Sequence, residues 1–170
     1  GDFPGAILEM GRARNRNAGP ARLSGAYAYV MHCAGQTGAG LEMLRADEML
    51  ARSSSSAQSA RSMLASWLNH HDEAIAAGWR VTEALDGSPS MAVAYPYALA
   101  RAGLREEASK ALAAITRDDT MPPAPMLLAP VLLEIGETER AEAALLSAEE
   151  EGCAYRHLGR YDPRLARFHR

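Results

Sequence analysis

The chain has 170 residues, a net charge of −3 and a composition rich in alanine and leucine, with two phenylalanines and two cysteines. The negative charge gives no general attraction to nucleic acids or acidic membranes, and no apolar run approaches the roughly 20 residues that a membrane span needs. Two cysteines do not make a disulfide framework, so we expect a reducing, cytoplasmic location.

A glycine or an asparagine recurs along the chain at intervals of about 34 residues. Both residue types adopt the left-handed backbone conformation that closes the C-terminus of many helices. A small residue follows each of them five positions later, where two helices can approach closely. The turn residues are Gly1, Gly35, Asn69, Gly103 and Gly136, and the small residues are Ala6, Gly40, Ala74, Ala108 and Ala141. This interval predicts a series of helical hairpins.

The glycines of residues 34 to 42, AGQTGAGLE, also allow another interpretation, a phosphate-binding loop. Gly35 and Gly40 have the separation that such a loop needs. Leu41 and Glu42, however, occupy the positions of its lysine and its hydroxyl residue. A carboxylate at this point would repel a triphosphate, so the glycines are better explained by the hairpins.

The predicted helices follow from the turns. A lone second helix covers residues 4 to 17. First helices at 22–35, 56–69, 91–103 and 124–136 are each followed by a second helix, at 37–52, 71–85, 105–116 and 138–152. Large apolar residues nine positions after the turns mark a buried face, except at Gly78, where we expect Trp79 to supply the bulk. Pro96 and Pro130 are expected to kink their helices, because each removes a backbone hydrogen bond.

This 34-residue unit resembles the tetratricopeptide repeat (TPR) family, most closely in HDEAIAAGWRVTEALDGSP and AYPYALARAGLREEASKAL. The resemblance implies an all-α fold, in which antiparallel hairpins stack into a right-handed superhelix, or α-solenoid. It places a half repeat at 1–20, repeats at about 21–54, 55–88, 89–121 and 122–152, and a capping helix with a basic tail at 153–170.

The N-terminal half repeat lacks a first helix. A repeat unit cannot bury its apolar face alone. We therefore expect either a continuation of the natural protein upstream or another chain to cover Phe3, Ile7 and Met10.

The segments LARAGLREEASKAL, VLLEIGETERAEAALL and YDPRLARF are similar to the C-terminal TPR modules of bacterial winged-helix transcriptional regulators and of multidomain nucleotide cyclases. This similarity implies a non-catalytic region that binds an effector or a partner protein. Two alternatives stay open: a free-standing chaperone or secretion adaptor, and a homo-oligomerisation module that pairs through the N-terminal half repeat.

The first helices of stacked repeats line a concave groove in such a superhelix. The resemblance places seven candidate residues there: Arg22, Tyr29, His32, Met63, Trp67, Tyr97 and Arg101. Aromatic, methionine and arginine side chains suit a peptide that carries acidic and apolar groups. An equally weighted alternative makes Met63, Trp67 and Tyr97 ordinary packing residues.

Two further questions concern small ligands and chemistry. Pro96 and Pro130 are either tolerated kinks, which we favour, or a device that shapes a pocket for a small effector.

The sequence shows no set of nucleophile, base and acid that would indicate an enzyme. His70 and His71 supply two metal ligands, where a structural zinc site needs four. The sequence therefore predicts no enzyme, no cofactor, no metal, no membrane contact and no direct nucleic-acid binding.

Overall fold

The fold is all-helical in the part of the chain that the structure describes. This computed structural model describes residues 2–16, 20–47, 54–84, 88–117, 122–152 and 156–168. Within these ranges there are helices and turns and no strand, as the composition predicts. None of the described helices is both long enough and apolar enough to cross a lipid bilayer.

The helices come in pairs along the chain, after a single N-terminal helix. In order they are α1 (Phe3–Arg16), α2 (Pro20–Cys33), α3 (Thr37–Ala46), α4 (Ser55–Trp67), α5 (His71–Glu83), α6 (Pro89–Ala92), α7 (Ala94–Arg101), α8 (Arg105–Ile115), α9 (Pro125–Ile135), α10 (Thr138–Glu150), α11 (Arg156–Gly159) and a 3₁₀ helix (Pro163–Phe168). The predicted hairpins are therefore present, while their superhelical arrangement stays a prediction.

The turns inside the hairpins have the predicted left-handed conformation. Backbone φ is +78° at Gly35, +61° at Asn69, +84° at Gly103 and +92° at Gly136. Each turn closes in the same way, with two backbone hydrogen bonds that satisfy carbonyls of the preceding helix. At the last turn, for example, Gly136 N–H donates to the carbonyl of Leu133, and the next residue donates to the carbonyl of Leu132.

Alanine substitutions at two glycines are expected to change stability in opposite directions. A Cβ at Gly136 or at Gly38 would meet no atom within 4 Å, so only the backbone conformation differs between the two sites. Gly136→Ala should lower the free energy of unfolding by about 1–2 kcal/mol, because φ is positive there. Gly38→Ala, inside α3, should raise it by about 0.5–1 kcal/mol. Urea unfolding of the two variants measures both values, and equal signs would contradict this account.

The hairpins pack against their neighbours in chain order. Helix α2 contacts α3 and α4, α4 contacts α5 and α7, and α7 contacts α8 and α9. A Cβ at Gly40 would lie 3.4 Å from the backbone oxygen of Ala28, in the other helix of its hairpin, and 2.9 Å from Leu64 Cδ2 in the next hairpin. A Cβ at Gly25 would lie 2.5 Å from the backbone oxygen of Ser56. Gly40 therefore allows the close approach within its hairpin that the sequence predicts, and small residues also set the spacing between hairpins.

The prediction for Trp79 is wrong. Its side chain is 48% exposed, while Gly78 itself is buried. A Cβ at Gly78 would lie 2.8 Å from Tyr95 Cα and 2.9 Å from Ser62 Oγ. The glycine is needed because α5 passes close to α4 and α7 here, so no bulk is missing. Trp79 instead packs edge to face against the ring of Tyr95, with 5.4 Å between centroids.

The first helix around Pro96 is divided, where the sequence predicts one kinked helix. Helix α6 ends at Ala92 and α7 begins at Ala94, with Val93 between them. Pro96 has no N–H to donate to the carbonyl four residues earlier, which is that of Ala92. The break lies where this hydrogen bond is lost. Pro130, by contrast, lies inside the continuous helix α9.

Candidate functional site

The C-terminal residues 156–168, here called the tail segment, lie against the first helices of the hairpins. We call the surface formed by α2, α4, α7 and α9 the first-helix face. Asp162 and Arg164 of the tail segment contact Tyr29 of α2 and Tyr97 of α7. Two of the predicted groove residues are therefore covered by the chain itself.

Asp162 and Arg164 form a buried ion pair within the tail segment. The side chains are 1% and 7% exposed. Arg164 Nη2 donates to Asp162 Oδ2 at 2.6 Å, and Arg164 Nε lies 3.0 Å from Oδ1. The backbone N–H of Arg164 also donates to Oδ1, at 2.9 Å. The two charges therefore compensate each other within the tail segment.

The first-helix face binds this pair through aromatic side chains. The Tyr29 hydroxyl donates to Asp162 Oδ2 at 2.7 Å. The Arg164 guanidinium lies 5.8 Å from the centroid of the Tyr29 ring and 5.3 Å from that of Tyr97, within cation–π range. Burial would raise the pKa of the Asp162 carboxyl, but Arg164, together with the neighbouring side chains of His32 and Tyr29, outweighs burial and holds that pKa well below its usual range. Asp162 is therefore charged at neutral pH.

His32 lies beside the ion pair and is completely buried. Its Nδ1 is 3.0 Å from the Thr37 hydroxyl, and its Nε2 is 3.7 Å from Asp162 Oδ1, which is too long for a hydrogen bond. Burial lowers the pKa of His32, although the nearby carboxylate opposes this. His32 is therefore neutral at pH 7.

This lowered pKa predicts a loss of stability in mild acid. As pH falls below about 6.5, His32 takes up a proton in the unfolded chain before it does so in the folded one. The free energy of unfolding should therefore decrease as pH falls from 6.5 towards 5, by at most about 1.4 kcal/mol per pH unit. Urea unfolding of the wild type and of His32→Gln at several pH values measures this slope, which should be smaller in the variant.

His70→Gln is the matched control for this experiment, because His70 is exposed. The slope should fall more in His32→Gln than in His70→Gln. The attribution to His32 fails if the two variants change the slope equally. Asp162 does not interfere in this window, since its stabilising contribution is lost only as pH falls below the ordinary aspartate pKa of about 3.9.

Trp67 lies next to His32, and Arg101 lies next to Trp67. The rings of His32 and Trp67 meet edge to face at 5.4 Å, and the Arg101 guanidinium lies 5.8 Å from the Trp67 centroid. Arg101 also pairs with Glu134 at 3.4 Å and donates to Asn69 Oδ1 at 3.2 Å. The structure thus brings Tyr29, His32, Trp67 and Arg101 together, although Arg101 is already partnered.

The remaining predicted residues differ in their settings. Met63 is buried and borders a cavity that also touches Tyr29 and Tyr97. The side chain of Arg22 lies outside the described residues, although its backbone is part of α2. The Tyr97 hydroxyl is buried and has no hydrogen-bond partner among the described residues. Burial raises the pKa of Tyr97 to about 12, and that of the Cys33 thiol to about 12.

Further contacts hold the tail segment along its length. Leu165 is buried in the main hydrophobic cluster, and a Cβ at Gly159 would lie 2.6 Å from Met126 Sδ. Arg167 Nη2 donates to the Thr138 hydroxyl at 3.3 Å. The rings of Phe3 and Tyr161 meet edge to face at 5.0 Å. The tail segment therefore contacts Phe3, which is partly buried and for which the sequence predicts a cover from an upstream continuation or another chain.

Sequence reasoning missed Asp162 and Arg164, which it assigned to a capping helix and a basic tail. One signal was available. The groove was predicted to suit a peptide with acidic and apolar groups, and Asp162 with Leu165 supplies both within four residues.

Comparison of the chain with protein-family models, curated proteins and solved structures gives no match. A function for this chain therefore has to be inferred from the side chains of the site.

Proposed function

We propose that this chain is a non-catalytic TPR-like module that binds a peptide on its first-helix face. As the resemblance implies, it serves as the effector or partner-binding region of a bacterial transcriptional regulator, next to a winged-helix DNA-binding domain. The observation that carries the peptide-binding proposal is the docked tail segment, a stretch of polypeptide held by Tyr29 and Tyr97 through an acidic and a basic side chain.

The chemistry of this contact suits recognition. Aromatic side chains lose little conformational entropy on binding, and they supply both apolar area and a hydroxyl for hydrogen bonding. A partner with an acidic residue beside an arginine, followed by a leucine, would meet the same contacts that Asp162, Arg164 and Leu165 make. The tail segment therefore acts as an internal competitor for such a partner.

The ionisation states of Tyr97, Cys33 and Asp162 suit a binding role better than a catalytic one. A general acid or base works best with a pKa near the operating pH. Burial instead raises the pKa values of Tyr97 and Cys33 to about 12, and Arg164 keeps Asp162 ionised. These groups hold their protons, or their charge, throughout the neutral range.

A peptide of the tail sequence tests this proposal. Fluorescein-labelled RYDPRLARF, which copies residues 160–168, is titrated with the wild-type chain and with Leu165→Ala. The variant should bind the peptide at least about ten-fold more tightly, because the intact tail competes at an effective concentration in the millimolar range. Fluorescence anisotropy measures both affinities.

The matched control is the peptide RYNPQLARF, in which amide side chains replace those at the positions of Asp162 and Arg164. It should bind Leu165→Ala at least about ten-fold more weakly, because it lacks the charges that the tyrosines contact. Circular dichroism verifies that the variant keeps its helices. Equal binding of the two peptides, or no binding to the helical variant, would refute the proposal.

A further inference from the structure

A cavity of about 340 Å³ lies between the first helices and the tail segment, partly open to solvent. Its walls come from α1, α2, α4, α6, α7, α9 and the tail segment. Pockets for small molecules in proteins usually have about 300–1,000 Å³. A cavity of about 150 Å³ can hold one benzene ring, so this one has room for about two rings.

Two sequence features border this cavity. Met91 and Ala94, from either side of the helix break that accompanies Pro96, both line it, as do Leu127 and Val131 from the helix that contains Pro130. Small residues of α2 and α4, among them Ala26 and Ser59, complete the wall. The two interrupted first helices therefore meet at the same cavity.

The lining is apolar and carries no free charge among the described residues. Methionines 10, 63 and 91 contribute flexible thioethers, which adapt to ligands of irregular shape. Arg164 is the charged lining residue, and it is already paired with the Asp162 carboxylate. An anionic ligand would have to displace this carboxylate or approach it closely, and a cationic ligand would find no anion of its own. Both would lose hydration without compensation.

We propose that this cavity is a binding site for a neutral, largely apolar small molecule of about two rings. The ligand would contact the first helices and Arg164 of the tail segment together, so it would bind best while the tail segment is docked. This proposal does not depend on capture of a peptide partner, because the cavity is formed with the chain's own tail in place.

A pair of probes with the same ring skeleton tests both the site and the charge. 1-(Dimethylamino)naphthalene, which has two rings, is neutral at pH 7, and 5-(dimethylamino)naphthalene-1-sulfonate adds one negative charge to it. In fluorescence titrations of the full chain, the neutral probe should saturate at one molecule per chain. The sulfonate should bind at least about ten-fold more weakly, because its charge cannot be compensated in the cavity. Absence of saturable binding by the neutral probe, or equal binding of the two, overturns the proposal.

Variants locate the site of binding. Ala26→Phe and Ser59→Phe place a ring in the cavity and should each weaken binding of the neutral probe at least about ten-fold. Ala39→Phe is the control, since Ala39 is also exposed on a helix but does not line the cavity. Equal loss in all three variants, or retained binding in both cavity variants, is the contrary result.

Methyl NMR of the unaltered chain gives a readout that does not depend on how the variants fold. With ¹³C-labelled methionine methyl groups, the neutral probe should shift the signals of Met63 and Met91 and leave that of Met43, which lies on α3 outside the cavity. Unshifted signals of Met63 and Met91 at saturation would place the probe elsewhere and overturn the proposal.

Discussion

Replacing Asp162 by alanine is expected to lower the free energy of unfolding by about 3–5 kcal/mol, because it leaves the buried Arg164 guanidinium without a counter-charge. Arg164 would lose all three side-chain hydrogen bonds to the carboxylate, and the Tyr29 hydroxyl would lose its acceptor. Urea unfolding followed by circular dichroism measures the change.

A double variant separates the loss of the pair from the burial of one charge. Asp162→Leu combined with Arg164→Met removes both charges and keeps apolar volume, so it should be clearly more stable than Asp162→Ala. Arg12 and Glu9 form the comparison pair, because their side chains are 55% and 69% exposed. Glu9→Ala should cost no more than about 1 kcal/mol. A cost at Asp162 as small as that at Glu9 would contradict the buried-pair interpretation.

Replacing Tyr97 by alanine should lower the free energy of unfolding by about 3–5 kcal/mol, the cost of removing a large buried aromatic side chain. Tyr97 is 2% exposed and belongs to the main hydrophobic cluster. Its ring also lies beneath the Arg164 guanidinium, so Arg164 would lose one of the two cation–π contacts that it makes with the first-helix face. Thermal and urea unfolding measure the loss.

Tyr97→Phe is the matched control, because it keeps the ring and removes only the hydroxyl. That hydroxyl is buried and has no hydrogen-bond partner among the described residues, so its removal should leave stability within about 0.5 kcal/mol or increase it. A loss above about 1 kcal/mol in Tyr97→Phe would show that the hydroxyl has a partner in the folded protein.

The features that the sequence predicts correctly are local ones. A left-handed turn residue has the same conformational requirement wherever it occurs, so Gly35, Asn69, Gly103 and Gly136 are recognisable by type and interval. The apolar spacing of the helices is set by a period of 3.6 residues, which is visible in the sequence as well. The helical hairpins follow from these two patterns together.

The features that the sequence does not reveal depend on contacts between distant segments. At Gly78 the buried face of the helix either lacks an apolar side chain or lies in close contact with another helix. The approach of Tyr95 decides between the two, and local periodicity does not encode it. The docking of Asp162 depends on Tyr29 and His32, 133 and 130 positions away along the chain. Composition suggested which chemistry the groove residues favour, but it gave no means of deciding that the chain's own tail provides it.

The contact between Tyr161 and Phe3 has a consequence for how the molecule unfolds. Arrays in which each unit touches only its neighbours can fray from either end, because the terminal unit has a single interface. Here the tail segment contacts α1, so release of the tail segment also removes a contact from that helix. The rates of amide hydrogen exchange in α2 and α9 should therefore change in parallel, and the chain should unfold in a single cooperative step.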